Sequence, residues 1–192
     1  MKINCINSMD KKILNYLKLK LTKERYTHTL SVAKLAESLA PARLKQSAKI
    51  AALLHDAAKG MKAGELTKVA LKNKLKVECF KEIQKHAPHL LHSYVSAHIA
   101  QTKFNINDKQ ILNAIKYHTT AAPSISELAK IVFVADYCAG RESQTKKLQK
   151  LACQNLDRAF KQALFGKINY VLECGQWLNP LSIKAWNYYH VK

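Results

Sequence analysis

A set of histidines and aspartates spread along the middle of the chain has the residue types of a metal site. Imidazole and carboxylate groups together suit iron, manganese, zinc and similar divalent ions. Such an ion can lower the pKa of a water molecule so that it attacks phosphorus near neutral pH. The sequence therefore predicts metal-assisted hydrolysis of a phosphate compound. In chain order, the residues are His28, His55, Asp56, His92, His118 and Asp136.

The neighbours of these histidines indicate that several of them are buried. At helical spacing, His28 shares a stripe with Val32 and Leu35. His118 shares a stripe with Ile111 and Ala114 in the same way. An unpaired polar group on a core face costs roughly 1–3 kcal/mol. The buried histidines are therefore expected to satisfy one another or to share a metal ion.

Two aspartates lie in strongly apolar sequence. Asp56 follows Ala-Ala-Leu-Leu-His and Asp136 follows Ile-Val-Phe-Val-Ala. A buried carboxylate must be paired or bound to a cation. Four ligands from three helices would hold one metal ion, and the addition of His92 and His118 would allow a second.

The elements that must position these residues are predicted to be helices. Only 5 glycines and 4 prolines interrupt long alanine-, leucine- and lysine-rich stretches, and these two residue types are the main helix breakers. Gly60 and Gly166 are expected to end helices, and Ser124 to Glu127 resembles a capping box. The predicted helices cover residues 11–21, 26–39, 43–59, 93–103, 109–118, 128–137, 145–165 and a last segment after Asn179-Pro180, with one or two short helices between 61 and 88.

The length of 192 residues fits a single domain spanning 1–192. No window reaches about 18 uncharged apolar residues, so no membrane span is expected. The first ten residues lack the apolar segment of a signal peptide, which favours a cytoplasmic protein. The five cysteines form no Cys-x-x-Cys pair, which argues against a disulfide framework or a zinc ribbon.

The chain carries a net charge of +19. A charge of this size attracts anions such as nucleotides, nucleic acids or acidic membranes. All but four of the 32 basic residues are lysines, whereas specific phosphate or base recognition usually uses arginine. The lysines are spread along the whole chain. The charge therefore favours background composition over a dedicated nucleic-acid surface, and nucleic-acid binding stays open as an alternative.

The order of the histidines and aspartates, with their flanking residues, resembles the bacterial HD-domain symmetrical bis(5′-nucleosyl)-tetraphosphatases. The resemblance runs from about residue 24 to residue 187. The segments that carry it are Arg25-Tyr-Thr-His28-Thr, Leu-Leu-His55-Asp56-Ala-Ala-Lys59, Leu90-Leu-His92-Ser, Tyr117-His118-Thr-Thr and Val-Ala-Asp136-Tyr.

The resemblance implies an all-α, HD-domain helical bundle with a metal site at the helix packing centre. It also implies cleavage of diadenosine tetraphosphate into two molecules of ADP. The metal ligands of the family correspond to His28, His55, Asp56 and Asp136. The implied metal is iron, with manganese or another divalent ion as the alternative, and one or two ions are expected.

The same resemblance implies which residues surround the substrate. Beyond the resemblance, we expect Asp56, His118 and Lys59 to be catalytic, with His118 as a candidate proton donor to the leaving group. Lys59 follows the His-Asp pair by three residues and is expected to contact phosphate, with an ordinary surface lysine as the alternative. His92 and His118 would face phosphate, a second metal ion, or both. The motif core covers about 24–141, and the helical segment 145–192 would complete the nucleotide site. The expected substrate contacts are Arg25, Lys59, His92, Tyr117, His118, Arg141, Ser182 and Asn187.

Two segments depart from the family pattern. The family has Glu-Pro-Gly-Arg or a similar run after Ala-Asp-Tyr, where this chain has Cys138-Ala-Gly-Arg141. Near the C-terminus the expected aspartate is replaced by Leu181, although Ser182 keeps a hydroxyl. Hydrolysis of another nucleotide, and a basic nucleotide- or nucleic-acid-binding protein with a vestigial metal site, therefore remain as alternatives. The oligomeric state is also open, with a homodimer among the alternatives.

Overall fold

The part of the chain that the structure describes is mostly helical. The computed structural model describes residues 8–139 and 142–191, and only the backbone of residues 142–144. Those ranges contain eleven α-helices, two short 3-10 helices and no strand, which confirms the predicted all-α class. The α-helices are α1 (Ser8–Lys20), α2 (Lys23–Leu39), α3 (Lys45–Leu54), α4 (Ala63–Lys72), α5 (Phe80–His86), α6 (Leu91–Phe104), α7 (Lys109–Tyr117), α8 (Glu127–Cys138), α9 (Glu142–Gln154), α10 (Leu156–Glu173) and α11 (Pro180–His190).

Polar side chains begin several of these helices. Asp108 accepts hydrogen bonds from the first backbone N–H groups of α7, and Asn179 does the same for α11 before Pro180. Such caps satisfy N–H groups that have no partner inside the helix. The start of α8 differs from the prediction, because the capping side chain is that of Ser126 and not that of Ser124.

Helix α8 lies at the centre of the fold. It packs against α2, α3 and α7 on one side and against α9 and α10 on the other. Its residues 131–135 are fully buried, as expected for a helix that is apolar all round. Because α8 carries Asp136 near its C-terminal end, the middle of the core and the predicted site lie next to each other.

The helix predicted over residues 43–59 ends earlier than expected. Residues 42–44 form a 3-10 helix, α3 stops at Leu54, and residues 55–60 make tight turns. In these turns the N–H of Lys59 bonds to the carbonyl of Asp56 at 2.9 Å. The N–H of Ala58 bonds instead to the hydroxyl of Ser96 on α6 at 3.0 Å. A contact between distant parts of the chain thus replaces the next helical hydrogen bond, and His55 and Asp56 lie in a turn.

The single long helix predicted over residues 145–165 is two helices. Asn155 separates α9 from α10 and caps α10 through its side chain. Gly166 does not end a helix, since α10 continues to Glu173. A Cβ atom at Gly166 would lie 2.1 Å from the hydroxyl oxygen of Tyr137. The absence of a side chain at Gly166 therefore leaves room for the Tyr137 ring against α10.

Within the described ranges, no helix is both long enough and apolar enough to cross a membrane. None of the four described cysteines, Cys79, Cys138, Cys153 and Cys174, forms a disulfide.

Candidate metal centre

The structure brings all six predicted histidines and aspartates together where five segments meet. Two sets of three can each offer ligand atoms that lie within 4.8 Å of one another. One set is His28, His55 and Asp56, and the other is Asp56, His92 and His118. Asp136 lies against the first set. The contributing segments are α2, the turn after α3, α6, the C-terminal end of α7, and α8.

The first half of the cluster is arranged around Asp136. Its Oδ1 atom lies 3.1 Å from Nε2 of His28 and 3.5 Å from Nε2 of His55. Nε2 of His55 is also 3.6 Å from Oδ2 of Asp56. Two imidazole nitrogens and two carboxylates therefore face one another in this half.

The second half uses the other oxygen of Asp56. Its Oδ1 atom lies 3.0 Å from Nε2 of His92 and 3.5 Å from Nε2 of His118. The two imidazole nitrogens are themselves 3.3 Å apart. Asp56 therefore faces both halves of the cluster, one oxygen to each, and each set of three could hold a metal ion.

Three of the histidines have their tautomer set by the backbone. The Nδ1 atoms of His55, His92 and His118 lie 2.6, 2.6 and 2.7 Å from carbonyl oxygens. A carbonyl can only accept, so Nδ1 is the protonated nitrogen of each neutral ring and Nε2 carries a lone pair. These lone pairs are directed at carboxylate oxygens and at each other. The accepting carbonyls are those of Ala52, His89 and Ile115.

Such an arrangement fits a divalent cation. Among the described residues, Nε2 of His55 and Oδ1 of Asp56 are buried atoms without a hydrogen-bond partner. Buried acceptors that face one another are unfavourable unless a cation lies between them. Imidazole with carboxylate is also the donor set that transition metals prefer. The cluster is thus able to hold a metal ion.

The environment keeps both aspartates ionised. Burial alone would raise the pKa of Asp56, but the neighbouring positive charge of His55 outweighs it and holds the pKa well below the usual range. Burial would lower the pKa of His55, but Asp56 and Asp136 raise it. Burial opposes ionisation of Asp136 as well, and Lys167 and the neighbouring histidines lower its pKa well below the usual range. Burial lowers the pKa of His118 to about 4. At neutral pH the cluster therefore offers anionic carboxylates and a neutral His118 imidazole.

Among the described residues, three cations lie next to the cluster. Arg25 has a half-exposed side chain and places Nη1 3.4 Å from Oδ2 of Asp56. Lys59 follows in the turn after α3, and burial lowers its pKa. Lys167 on α10 donates to Oδ2 of Asp136 at 2.7 Å. Arg25 and Lys59 were expected from the sequence, whereas Lys167 was not.

Lys167 had one available signal in the sequence. Phe160, Ala163 and Leu164 precede it at helical spacing and are buried, so the lysine falls on the core-facing stripe of α10. A charged residue on such a stripe needs a partner. The sequence alone does not identify that partner, because Asp136 is 31 residues away.

The remaining predicted substrate residues lie in other surroundings. The hydroxyl of Tyr117 donates to Glu78 at 2.9 Å. Ser182 is buried on α11 and Asn187 is exposed on the same helix. The backbone N–H of Ser182 donates to the carbonyl of Asn179, and the carbonyl of Asn187 accepts from the N–H of Val191. Arg141 lies outside the described residues.

Comparison with known proteins shows strong similarity along most of the chain. The HD domain family model matches residues 25–141. The symmetrical bis(5′-nucleosyl)-tetraphosphatase of Bacillus subtilis is 30% identical, and the match covers 90% of this chain and 92% of that protein. The protein of the same name from Halalkalibacterium halodurans is 31% identical, with 92% and 94% covered.

A solved structure is similar over nearly the same extent. It is a crystal structure described as a "predicted HD superfamily hydrolase involved in NAD metabolism" from Clostridium acetobutylicum. The TM-score is 0.85 at 32% sequence identity, and the match covers 93% of this chain and 95% of the other. The sequence and structural similarities therefore extend well beyond the cluster itself.

Proposed function

The chain belongs to the HD domain family, with symmetrical bis(5′-nucleosyl)-tetraphosphatases as full-length relatives, and from this premise we propose that it hydrolyses diadenosine tetraphosphate into two molecules of ADP. The observation that carries the proposal is the buried cluster in which Asp56 faces two sets of imidazole nitrogens. A dinucleoside polyphosphate is the substrate class, and the names of the relatives support it.

We assign the first metal position to His28, His55, Asp56 and Asp136, and a second to Asp56, His92 and His118. A divalent ion held there would supply Lewis acidity and an activated water for attack on phosphorus. Iron is the proposed ion, with manganese as the alternative, since both accept imidazole and carboxylate ligands.

The protein's own cations bind and orient the tetraphosphate. Arg25 has a half-exposed side chain at the edge of the cluster. No ion pair or side-chain hydrogen bond is made by Lys59 within the described residues, and its charge interacts with both Asp56 and Asp136. Guanidinium and ammonium groups placed in this way offset the charge of the phosphates, which is the main requirement in phosphoryl transfer.

His118 is assigned to the cluster as a ligand and not as a proton donor. Its pKa of about 4 leaves the imidazole neutral at neutral pH. The one ring proton lies on Nδ1, which donates to the carbonyl of Ile115. The Nε2 atom therefore has a lone pair to offer and no proton to give.

Product analysis with a matched pair of variants tests the proposal. The full chain, supplied with iron or manganese, is incubated with diadenosine tetraphosphate and the nucleotides are separated. ADP is expected as the sole early product, and Asp56→Asn is expected to lower kcat by about 1,000-fold or more. Asp157→Asn is the control, because Asp157 is an exposed aspartate of α10 that pairs with Lys130.

Other product patterns would contradict the proposal in different ways. ATP together with AMP would mean asymmetric cleavage. Turnover of a different nucleotide, with none of diadenosine tetraphosphate, would keep a metal hydrolase and change its substrate. If the Asp56→Asn variant were as active as the unchanged protein, the cluster would not take part in the reaction.

A further inference from the structure

Lys167 lies in the fourth turn of α10, beyond the segment that matches the HD domain family model. Its Nζ atom is 2.7 Å from Oδ2 of Asp136 and 2.7 Å from the carbonyl oxygen of His118. It also lies 4.2 Å from the centre of the Phe133 ring. The side chain is only 20% exposed. One lysine of the C-terminal segment thus contacts two residues of the cluster, which come from α7 and α8.

These contacts account for the hydrogen-bonding capacity of the ammonium group. A lysine offers three N–H donors. Two of them point to oxygen atoms and the aromatic ring occupies a further side of the cation. Lys59 differs, because no described side chain pairs with its Nζ atom. Lys167 is therefore committed to the protein, whereas Lys59 remains available to a phosphate.

The contact with Asp136 separates the roles of its two oxygens. Oδ2 accepts from Lys167. Oδ1 faces Nε2 of His28 and Nε2 of His55. A carboxylate held through one oxygen cannot rotate freely, so the other oxygen keeps its direction toward the imidazoles. Groups that hold a ligand in this way commonly change metal affinity or activity about 10–100-fold when they are removed.

We infer that Lys167 is a positioning residue of the metal centre: it holds Asp136 through Oδ2, leaves Oδ1 alone to face the cluster, and ties α10 to the ends of α7 and α8. The part that concerns catalysis rests on the proposed function. The part that concerns metal binding rests only on the cluster. The C-terminal segment thereby contributes directly to the geometry of the centre.

Three variants of the full chain test this role. Lys167→Met removes the cation, and Lys167→Arg keeps a cation that can donate to both oxygens. The matched control is Lys130→Met, because Lys130 also joins α8 to α10, pairs with Asp157 at 2.6 Å and is 17% exposed. Lys130 lies near the N-terminal end of α8, whereas Asp136 lies near its C-terminal end. Manganese binding to the metal-stripped proteins is measured by electron paramagnetic resonance, and kcat and KM are measured with manganese at saturation.

Lys167→Met is expected to weaken manganese binding by about tenfold or more. At saturating manganese its kcat should fall by about tenfold while KM changes by less than about threefold, because no substrate contact is lost. Lys167→Arg should recover most of both values. Lys130→Met should stay within about twofold of the unchanged protein in both. If Lys167→Met does not fold, as judged by circular dichroism, Lys167→Gln replaces it with the same expectation.

The inference is overturned if Lys167→Met binds manganese as well as Lys130→Met does, or more tightly, since the lysine would then be structural or merely repulsive. A rise in KM with kcat and manganese affinity unchanged would also overturn the inference, because Lys167 would then contact substrate. Failure of the proposed function is a separate result: the unchanged protein would bind manganese without cleaving diadenosine tetraphosphate, and the manganese affinities of the variants would still decide the role of Lys167.

Discussion

At the scale of single residues, the cluster is built from acceptors that face one another. Three histidines donate a hydrogen bond from Nδ1–H to a backbone carbonyl, which leaves Nε2 directed at the carboxylates. Asp56 lies 3.0 Å from His92 on one side and 3.6 Å from His55 on the other. Removal of its charge would therefore affect both halves of the cluster, whereas Asp136 contacts only the first half.

Lys59 is the residue whose substitution best separates substrate binding from chemistry. Lys59→Met is expected to raise KM for diadenosine tetraphosphate by about 10–100-fold, the range for loss of one charge-assisted hydrogen bond, with little change in kcat. Steady-state kinetics at saturating metal measure both constants. Lys68→Met is the control, because Lys68 is exposed on α4 and its removal changes the net charge equally. A fall in kcat at constant KM would instead mean that Lys59 stabilises the transition state.

At the scale of elements, two short connections decide how the site is held. The turn after α3 carries His55, Asp56 and Lys59, and it is fastened to α6 through Ser96. The loop before α5 is fastened through Glu78, which accepts hydrogen bonds from Tyr94, Lys116 and Tyr117. Both connections use contacts between segments that are distant in sequence.

Gly60 lies where α1 packs against the turn after α3. A Cβ atom at Gly60 would lie 2.4 Å from the carbonyl oxygen of Lys20, a backbone atom that cannot move alone. Gly60→Ala is therefore expected to lower the free energy of unfolding by about 1–3 kcal/mol. Urea unfolding followed by circular dichroism measures it. Gly64→Ala is the control, since nothing lies within 4 Å of its Cβ position, and it should be neutral or slightly stabilising. Equal stability of the two variants would contradict the close approach.

The lowered pKa of Glu78 predicts that the stability of the fold depends on pH. Burial alone would raise the pKa of Glu78, but its own N–H, Lys116 and Tyr94 outweigh burial and lower the pKa below its ordinary value of 4.5. A lowered pKa means that this carboxylate stabilises the fold above pH 4.5 and that the contribution is lost as the pH falls through the folded-state pKa. Because Glu78 is 40% exposed, screening limits the effect to about 1 kcal/mol or less.

The variant Glu78→Gln should therefore melt about 1–4 °C below the unchanged protein at pH 7. The difference should shrink as the pH is lowered below 4.5, because both proteins then carry a neutral side chain at this position. Thermal melts from pH 3 to pH 7 measure it. A difference that is constant with pH would show that the charge of Glu78 does not contribute.

At the scale of the whole molecule, the net charge of +19 surrounds a metal centre that we propose acts on a polyanionic substrate. The lysines are distributed over nearly all helices, so the field is general and not confined to one face. Such a field raises the local concentration of a polyanionic substrate and is screened by salt over a Debye length of about 10 Å at 0.1 M.

The KM for diadenosine tetraphosphate is therefore expected to rise about threefold or more when sodium chloride is raised from about 20 to about 200 mM, with kcat nearly constant. The same titration with unspecific RNA tests the alternative of nucleic-acid binding, which would show a much steeper loss of affinity. A KM that does not change with salt would mean that only the cations next to the cluster attract the substrate.

The sequence by itself was sufficient for the helical class and for the six residues of the cluster. Composition and helical spacing are local properties, and buried histidines and aspartates need partners wherever they lie. The spacing of the motifs also carried the resemblance to the HD-domain enzymes, and the HD domain match and the structural similarity confirm it.

Only the tertiary structure decided how these residues are arranged. Ser96 accepts the hydrogen bond from Ala58 beyond the early end of α3. The Tyr137 ring explains why a glycine lies inside α10 at position 166. Lys167 holds one oxygen of Asp136. Each of these contacts joins positions that are about 30 or more residues apart in the chain. Helical periodicity extends over a few turns and contains no information about such partners. The packing of the helices therefore decides that Asp56 faces both halves of the centre and that Asp136 faces only the first.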